Sequence, residues 1–150
     1  MAIRPRIILE LIELRRHEAS QALGHPLPVT FDFGEYGHFK TARGFGVTFI
    51  ETRDGRTRCH MRYADKCVRE PITRFDAILR HELGHVADAL IEAPVLNAWA
   101  MQRGYRLNVM PERRADDIAN AIWGEPIRYD KDTVQSTRYG KVGRPNHLPQ

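Results

Sequence analysis

The sequence HELGH at residues 81–85 lies inside a longer run of helical periodicity from Thr73 to about Ile91. Residues i and i+4 of a helix share one face, with Cβ atoms about 5–6 Å apart. His81 and His85 can therefore converge on a single metal ion. The carboxylate of Glu82 points to the side of this face, where it can reach a metal-bound water and act as a general base.

Around this helix the chain alternates helical and strand patterns, which predicts an α+β fold: a small three-stranded sheet packed on an N-terminal helix, the HExxH helix and a later helix rich in acids. The dipeptide Asp54–Gly55 is typical of a tight hairpin turn, so the strand after it runs antiparallel to the strand before it. That following strand, 57–63, has one polar side, which predicts an edge or a half-exposed strand. The predicted helices are 5–23, 73–91, 95–103 and 111–123, and the predicted strands are 29–33, 45–51 and 57–63.

A catalytic zinc needs a third protein ligand. Asp88 cannot close the site with both histidines, since it lies about 10 Å along the helix axis from His81 at 1.5 Å per residue. Glu112 and Asp116 are spaced i, i+4 on the last helix, so one carboxylate can bind zinc while the other accepts a hydrogen bond from the non-ligating nitrogen of a zinc histidine. Asp117, directly after Asp116, is an alternative for that second role.

The HELGH motif followed by Glu112-x-x-Ala115-Asp116 resembles the gluzincin zinc metallopeptidases, and the short length resembles their minimal single-domain members. The resemblance implies a zincin-like domain over residues 1–124. It implies three zinc ligands, which are His81, His85 and Glu112. It also implies that Glu82 is the general base, that Asp116 is the partner of a zinc histidine, and that Gly84 leaves room for close helix packing.

The same resemblance implies that an extended substrate peptide pairs by backbone hydrogen bonds along strand 57–63. Larger gluzincins also supply a His or Tyr that stabilises the oxyanion, and no motif matches one here. Four residues are candidates by their chemistry alone: Tyr105, Tyr129, Tyr139 and His147.

Composition and charge bear on where the protein is located and on its partners. The 150 residues carry a net charge of +4 without a block of like charges, and no apolar run or leader pattern indicates a membrane segment. We therefore expect a soluble cytoplasmic protein with free thiols at Cys59 and Cys67, and a polar, loosely ordered tail over residues 125–150. Nucleic acid is an alternative partner, suggested by a pI of about 9.3.

The sequence thus predicts a zinc-dependent metalloendopeptidase that hydrolyses peptide bonds through a zinc-bound water activated by Glu82. The alternative is a zinc-binding regulatory or partner-binding module with little or no catalysis. A third reading treats HELGH as an amphipathic helix with surface histidines, and the acids of residues 112–116 as first-turn residues that favour the helix dipole.

Overall fold

A computed structural model describes residues 5–34, 46–64 and 71–124 of the chain. Within these ranges the fold is α+β, with four helices and a small three-stranded mixed sheet, as predicted. The predicted tail, 125–150, and the start of the second predicted strand, Phe45, lie outside the described residues. The elements are α1 (Pro5–Leu23), β1 (Val29–Gly34), β2 (Gly46–Arg53), β3 (Arg56–Ala64), α2 (Ile72–Leu90), α3 (Ala93–Gln102) and α4 (Pro111–Trp123).

Local sequence signals explain where several elements begin and end. Pro111 occupies the first turn of α4, where its missing N–H costs nothing, and Gly124 ends that helix with a left-handed φ of 76°. Asp54 and Gly55 both have positive φ, so they form the tight turn between β2 and β3. Helix α2 begins at Ile72, one residue before the predicted start at Thr73, and Pro71 occupies the cap position.

The sheet has the order β1-β3-β2, so β3 is its central strand. β3 pairs with β1 in parallel and with β2 antiparallel. Of the two alternatives for the strand at 57–63, an edge strand is therefore wrong, and a half-exposed strand is what the structure has. The placement of a substrate peptide along this strand was also wrong, because both of its backbone edges already bond to neighbours. The polar side of β3 reflects the solvent-facing side of the sheet: there Arg62 donates two hydrogen bonds to Asp32 of β1, each 2.9 Å long.

The other side of the sheet packs on the helices and forms the main core, and Ala77 and Ala119 form a small second cluster. Both tryptophans border this core: the indole N–H of Trp99 donates to the carbonyl of Ala22, and that of Trp123 donates to Glu18. In the described ranges no helix is both long and apolar enough to cross a membrane. The largest fully buried side chains are Tyr63, Phe75, Ile8, Ile12, Leu27, Met61, Ile78, Leu79, Leu83, Leu96, Ile118 and Val86.

Candidate metal centre

Helix α2 carries the HELGH residues into the interior of the protein. His81 and Glu82 are each only 3% exposed, and His85 is half-buried. This burial contradicts the reading of an amphipathic helix with surface histidines. Two imidazoles and a carboxylate are costly to bury without partners, so their partners define the site.

The partners come from the first turn of α4. Glu112 places one carboxylate oxygen 2.9 Å from Nε2 of His81 and the other 3.0 Å from Nε2 of His85. The two Nε2 atoms are 3.2 Å apart, with the imidazole rings nearly perpendicular. The structure therefore brings together the three residues that were predicted as ligands, and these three could hold a metal ion.

The two histidine nitrogens are spaced as neighbouring ligands of a tetrahedral zinc site are. With metal–nitrogen distances of about 2.0–2.1 Å, two ligand atoms of a regular tetrahedron lie about 3.3 Å apart. The two Nε2 atoms, 3.2 Å apart, are close to that edge length. Because their contacts of 2.9 and 3.0 Å go to different oxygens of Glu112, the three ligand atoms, one from each residue, lie within 4.8 Å of one another. Two imidazoles and one carboxylate are a ligand set found in catalytic zinc sites, which leave a fourth position open.

Asp116 fixes the orientation of the His81 ring. Its Oδ1 lies 2.6 Å from Nδ1 of His81, and because a carboxylate only accepts, Nδ1 must carry a proton. In the neutral ring Nε2 then holds a lone pair, and this lone pair faces the Glu112 carboxylate and the Nε2 of His85. Such a meeting of acceptors is repulsive unless a positive charge, either a proton on Nε2 or a metal ion, lies between them. Asp116 rather than Asp117 is thus the partner of the histidine.

The pKa values of His81 and Glu112 also indicate a site that favours positive charge. Burial alone lowers the pKa of His81, but hydrogen bonds to Asp116 and Glu112 outweigh it and hold that pKa well above its ordinary value. Hydrogen bonds from His81 and His85 hold the pKa of Glu112 well below its usual range. The cluster therefore attracts positive charge, and Glu112 is an anion at neutral pH, as a metal ligand must be.

A hydrogen bond from the sheet holds the carboxylate of Glu82. The hydroxyl of Thr48 on β2 donates a hydrogen bond of 2.5 Å to Oε1 of Glu82, while Oε2 of Glu82 lies 4.0 Å from Nε2 of His81. Sequence reasoning missed Thr48. Nothing in the sequence distinguishes it from other strand threonines, and only the packing of α2 on β2 brings it to Glu82.

The site requires α2 and α4 to approach closely, and two contacts allow this. Gly84 lies against the backbone of Ala115, and a Cβ atom on Gly84 would collide with the Ala115 carbonyl. Next to this contact, Asp88 accepts a hydrogen bond of 2.7 Å from Arg114. Asp88 is thus no ligand; it ties α2 to α4 at the turn of α4 that separates Glu112 from Asp116.

The remaining residues that the sequence analysis singled out do not belong to the cluster of His81, His85 and Glu112, or they lie outside the described residues. Asp117 is buried and accepts a hydrogen bond from the backbone N–H of Asn108, so it holds the segment that leads into α4. Tyr105, one of the oxyanion candidates, is half-buried and packs against the hydrophobic core. The other three candidates, Tyr129, Tyr139 and His147, lie outside the described residues, as does Cys67, whereas Cys59 is a buried free thiol.

Comparison of the chain with known protein families, with curated proteins and with solved structures gives no match.

Proposed function

We propose that this protein is a zinc-dependent metallopeptidase with a zincin-like fold. The observation that carries the proposal is the cluster of His81, His85 and Glu112, in which the two Nε2 atoms lie 3.2 Å apart and each has a carboxylate oxygen of Glu112 within 3.0 Å. The buried carboxylate of Glu82 beside this cluster supports a catalytic metal site rather than a structural one, because a structural zinc site does not require a general base.

Each residue has a separate task in this proposal. His81, His85 and Glu112 would hold the ion, and Asp116 keeps a proton of His81 on Nδ1, so that the lone pair of Nε2 can bind the ion. Bound zinc would supply a Lewis acid for the carbonyl and the attacking water. Glu82 accepts the proton of that water and later delivers it to the leaving amine.

The substrate would pair with β2 instead of the central strand β3. In the described residues β2 bonds to a neighbour on one side only, and Thr48 of this strand touches Glu82. A peptide added in extended form along residues 46–53 would satisfy the free backbone groups of β2. It would also run past the HELGH helix, which brings a peptide carbonyl near the general base.

The test has two parts. Metal content is measured by mass spectrometry for the purified wild type and for Glu112→Ala; we expect about one zinc per chain in the wild type and a large loss in the variant. Hydrolysis is then measured with an unfolded-protein or peptide-library substrate for the wild type and Glu82→Gln. We expect Glu82→Gln to keep the metal and lose turnover by at least about 100-fold.

The possible results separate the alternatives. Absence of metal from the wild type after expression with zinc would refute the metal centre itself. Bound zinc without hydrolysis of any library peptide would favour the zinc-binding regulatory module. Full turnover in Glu82→Gln would refute the assignment of Glu82 as the base.

A further inference from the structure

The two carboxylate oxygens of Glu82 have different surroundings. Oε1 accepts the 2.5 Å hydrogen bond from Thr48, and Oε2 is the oxygen that lies 4.0 Å from Nε2 of His81. One oxygen is therefore anchored to the sheet, and the other faces the ligand cluster. This division is what a general base needs, since only one oxygen can take the proton.

Thr48 is well suited to such an anchor. Its β-branched side chain has few accessible χ1 rotamers on a strand, so the direction of the hydroxyl is fixed by the backbone of β2. Glu82 has three rotatable side-chain bonds and is buried, and without an anchor its carboxylate can turn away from the cluster. The hydrogen bond also satisfies an ionised oxygen that would otherwise be costly to bury.

We propose that Thr48 is a positioning residue that holds Oε1 of Glu82 and thereby directs Oε2 into the ligand cluster. The role in catalysis rests on the proposed peptidase function, whereas the hydrogen bond itself does not. Thr48 acts through Glu82 and does not itself exchange a proton with the substrate.

Three variants test the proposal in the zinc-loaded protein. Thr48→Val removes the hydroxyl and keeps the shape, and Thr48→Ser restores a hydroxyl. The matched control is Thr30→Val on β1, which removes a threonine hydroxyl that also makes a hydrogen bond, 2.6 Å to His60, on the other face of the sheet. We expect Thr48→Val to bind one zinc, with kcat lowered roughly tenfold and KM little changed, because misplacing a catalytic group costs about this much or more.

A second readout does not depend on activity. Free energies of unfolding are measured for Thr48→Val, Glu82→Ala and the double variant, which together form a double-mutant cycle. We expect Thr48→Val to destabilise the protein when Glu82 is present and to have little effect in the Glu82→Ala background. Thr48→Ser should recover most of both kcat and stability, and Thr30→Val should leave kcat unchanged.

The outcomes distinguish failure of this inference from failure of the proposed function. Additive effects in the cycle, or a wild-type kcat in Thr48→Val, would overturn the positioning role while leaving the peptidase intact. A coupled cycle in a wild type that hydrolyses nothing would confirm that Thr48 holds Glu82 and overturn the peptidase proposal. A loss of kcat in Thr48→Val that Thr48→Ser does not recover would also overturn the inference.

Discussion

Gly84 of α2 lies directly against the backbone of Ala115 of α4, with no space for a Cβ atom between them. The contact falls between His81 and His85 on one helix and between Glu112 and Asp116 on the other. The separation of the two helices at this point therefore sets how closely the carboxylates can approach the imidazoles.

We expect Gly84→Ala to separate the two helices and weaken the cluster. The added methyl group meets backbone atoms, which cannot rotate away, so overpacking should cost roughly 1–3 kcal/mol of stability despite the better helix propensity of alanine. Zinc affinity, measured by competition with a chelator, should fall as well. Thr73→Ala at an exposed site of the same helix is the control and should match the wild type. Unchanged zinc affinity in Gly84→Ala would contradict this account.

Asp116→Asn should weaken zinc binding about 10–100-fold, since partners of a metal-bound histidine commonly contribute this much. The asparagine keeps the shape of the side chain but removes the negative charge that holds the proton on Nδ1 of His81. The measurement is a zinc dissociation constant from chelator competition, with Glu92→Gln as an exposed control. An affinity equal to that of the wild type would show that Asp116 does not orient the histidine.

Arg15 of α1 and Asp76 of α2 form a bidentate ion pair that joins the two helices, with N–O distances of 2.7 and 2.9 Å. Both side chains are mostly buried, so Asp76→Asn should lower the free energy of unfolding by about 2 kcal/mol. Arg6→Met, which breaks the exposed pair between Arg6 and Glu10, should change it by less than about 0.5 kcal/mol. Chemical denaturation of the two variants measures both values, and equal effects would refute this ranking.

Asp32 should give the protein an acid-sensitive contribution to stability. The hydrogen bonds from Arg62, with help from His60, lower the pKa of Asp32 from 3.8 to about 2 despite some burial. Because the unfolded chain then binds a proton more readily, ionised Asp32 stabilises the fold above about pH 4, and this contribution is lost as the pH falls towards 2.

The free energy of unfolding of the wild type and of Asp32→Asn, compared in chelator between pH 2 and 6, tests this expectation. The wild type should be the more stable above pH 4, and the gap should close towards pH 2. A gap that stays constant over the whole range would contradict the lowered pKa of Asp32.

Much of the site could be predicted from the sequence because its parts depend on local geometry. The spacing of His81 and His85 places both on one helical face whatever the rest of the chain does. Likewise, Pro111 and Gly124 mark the ends of α4 through backbone constraints that act within a single turn. The positive φ of Asp54 and Gly55 follows from the same kind of local rule.

Which strands pair and which side chains from different elements contact each other depends on the tertiary structure. The alternation of polar and apolar residues along 57–63 indicates that one face of this strand is buried. It does not indicate how many neighbouring strands pair with its backbone, so the central position of β3 could not be predicted. The hydrogen bond from Thr48 to Glu82 and the choice of Asp116 over Asp117 arise from helix and sheet packing between residues far apart in sequence. Which groups share a face of each helix could be predicted from the order of the residues, because it depends only on the 3.6 residues per turn. Only the packing of α2 against α4 and β2 determined which groups meet.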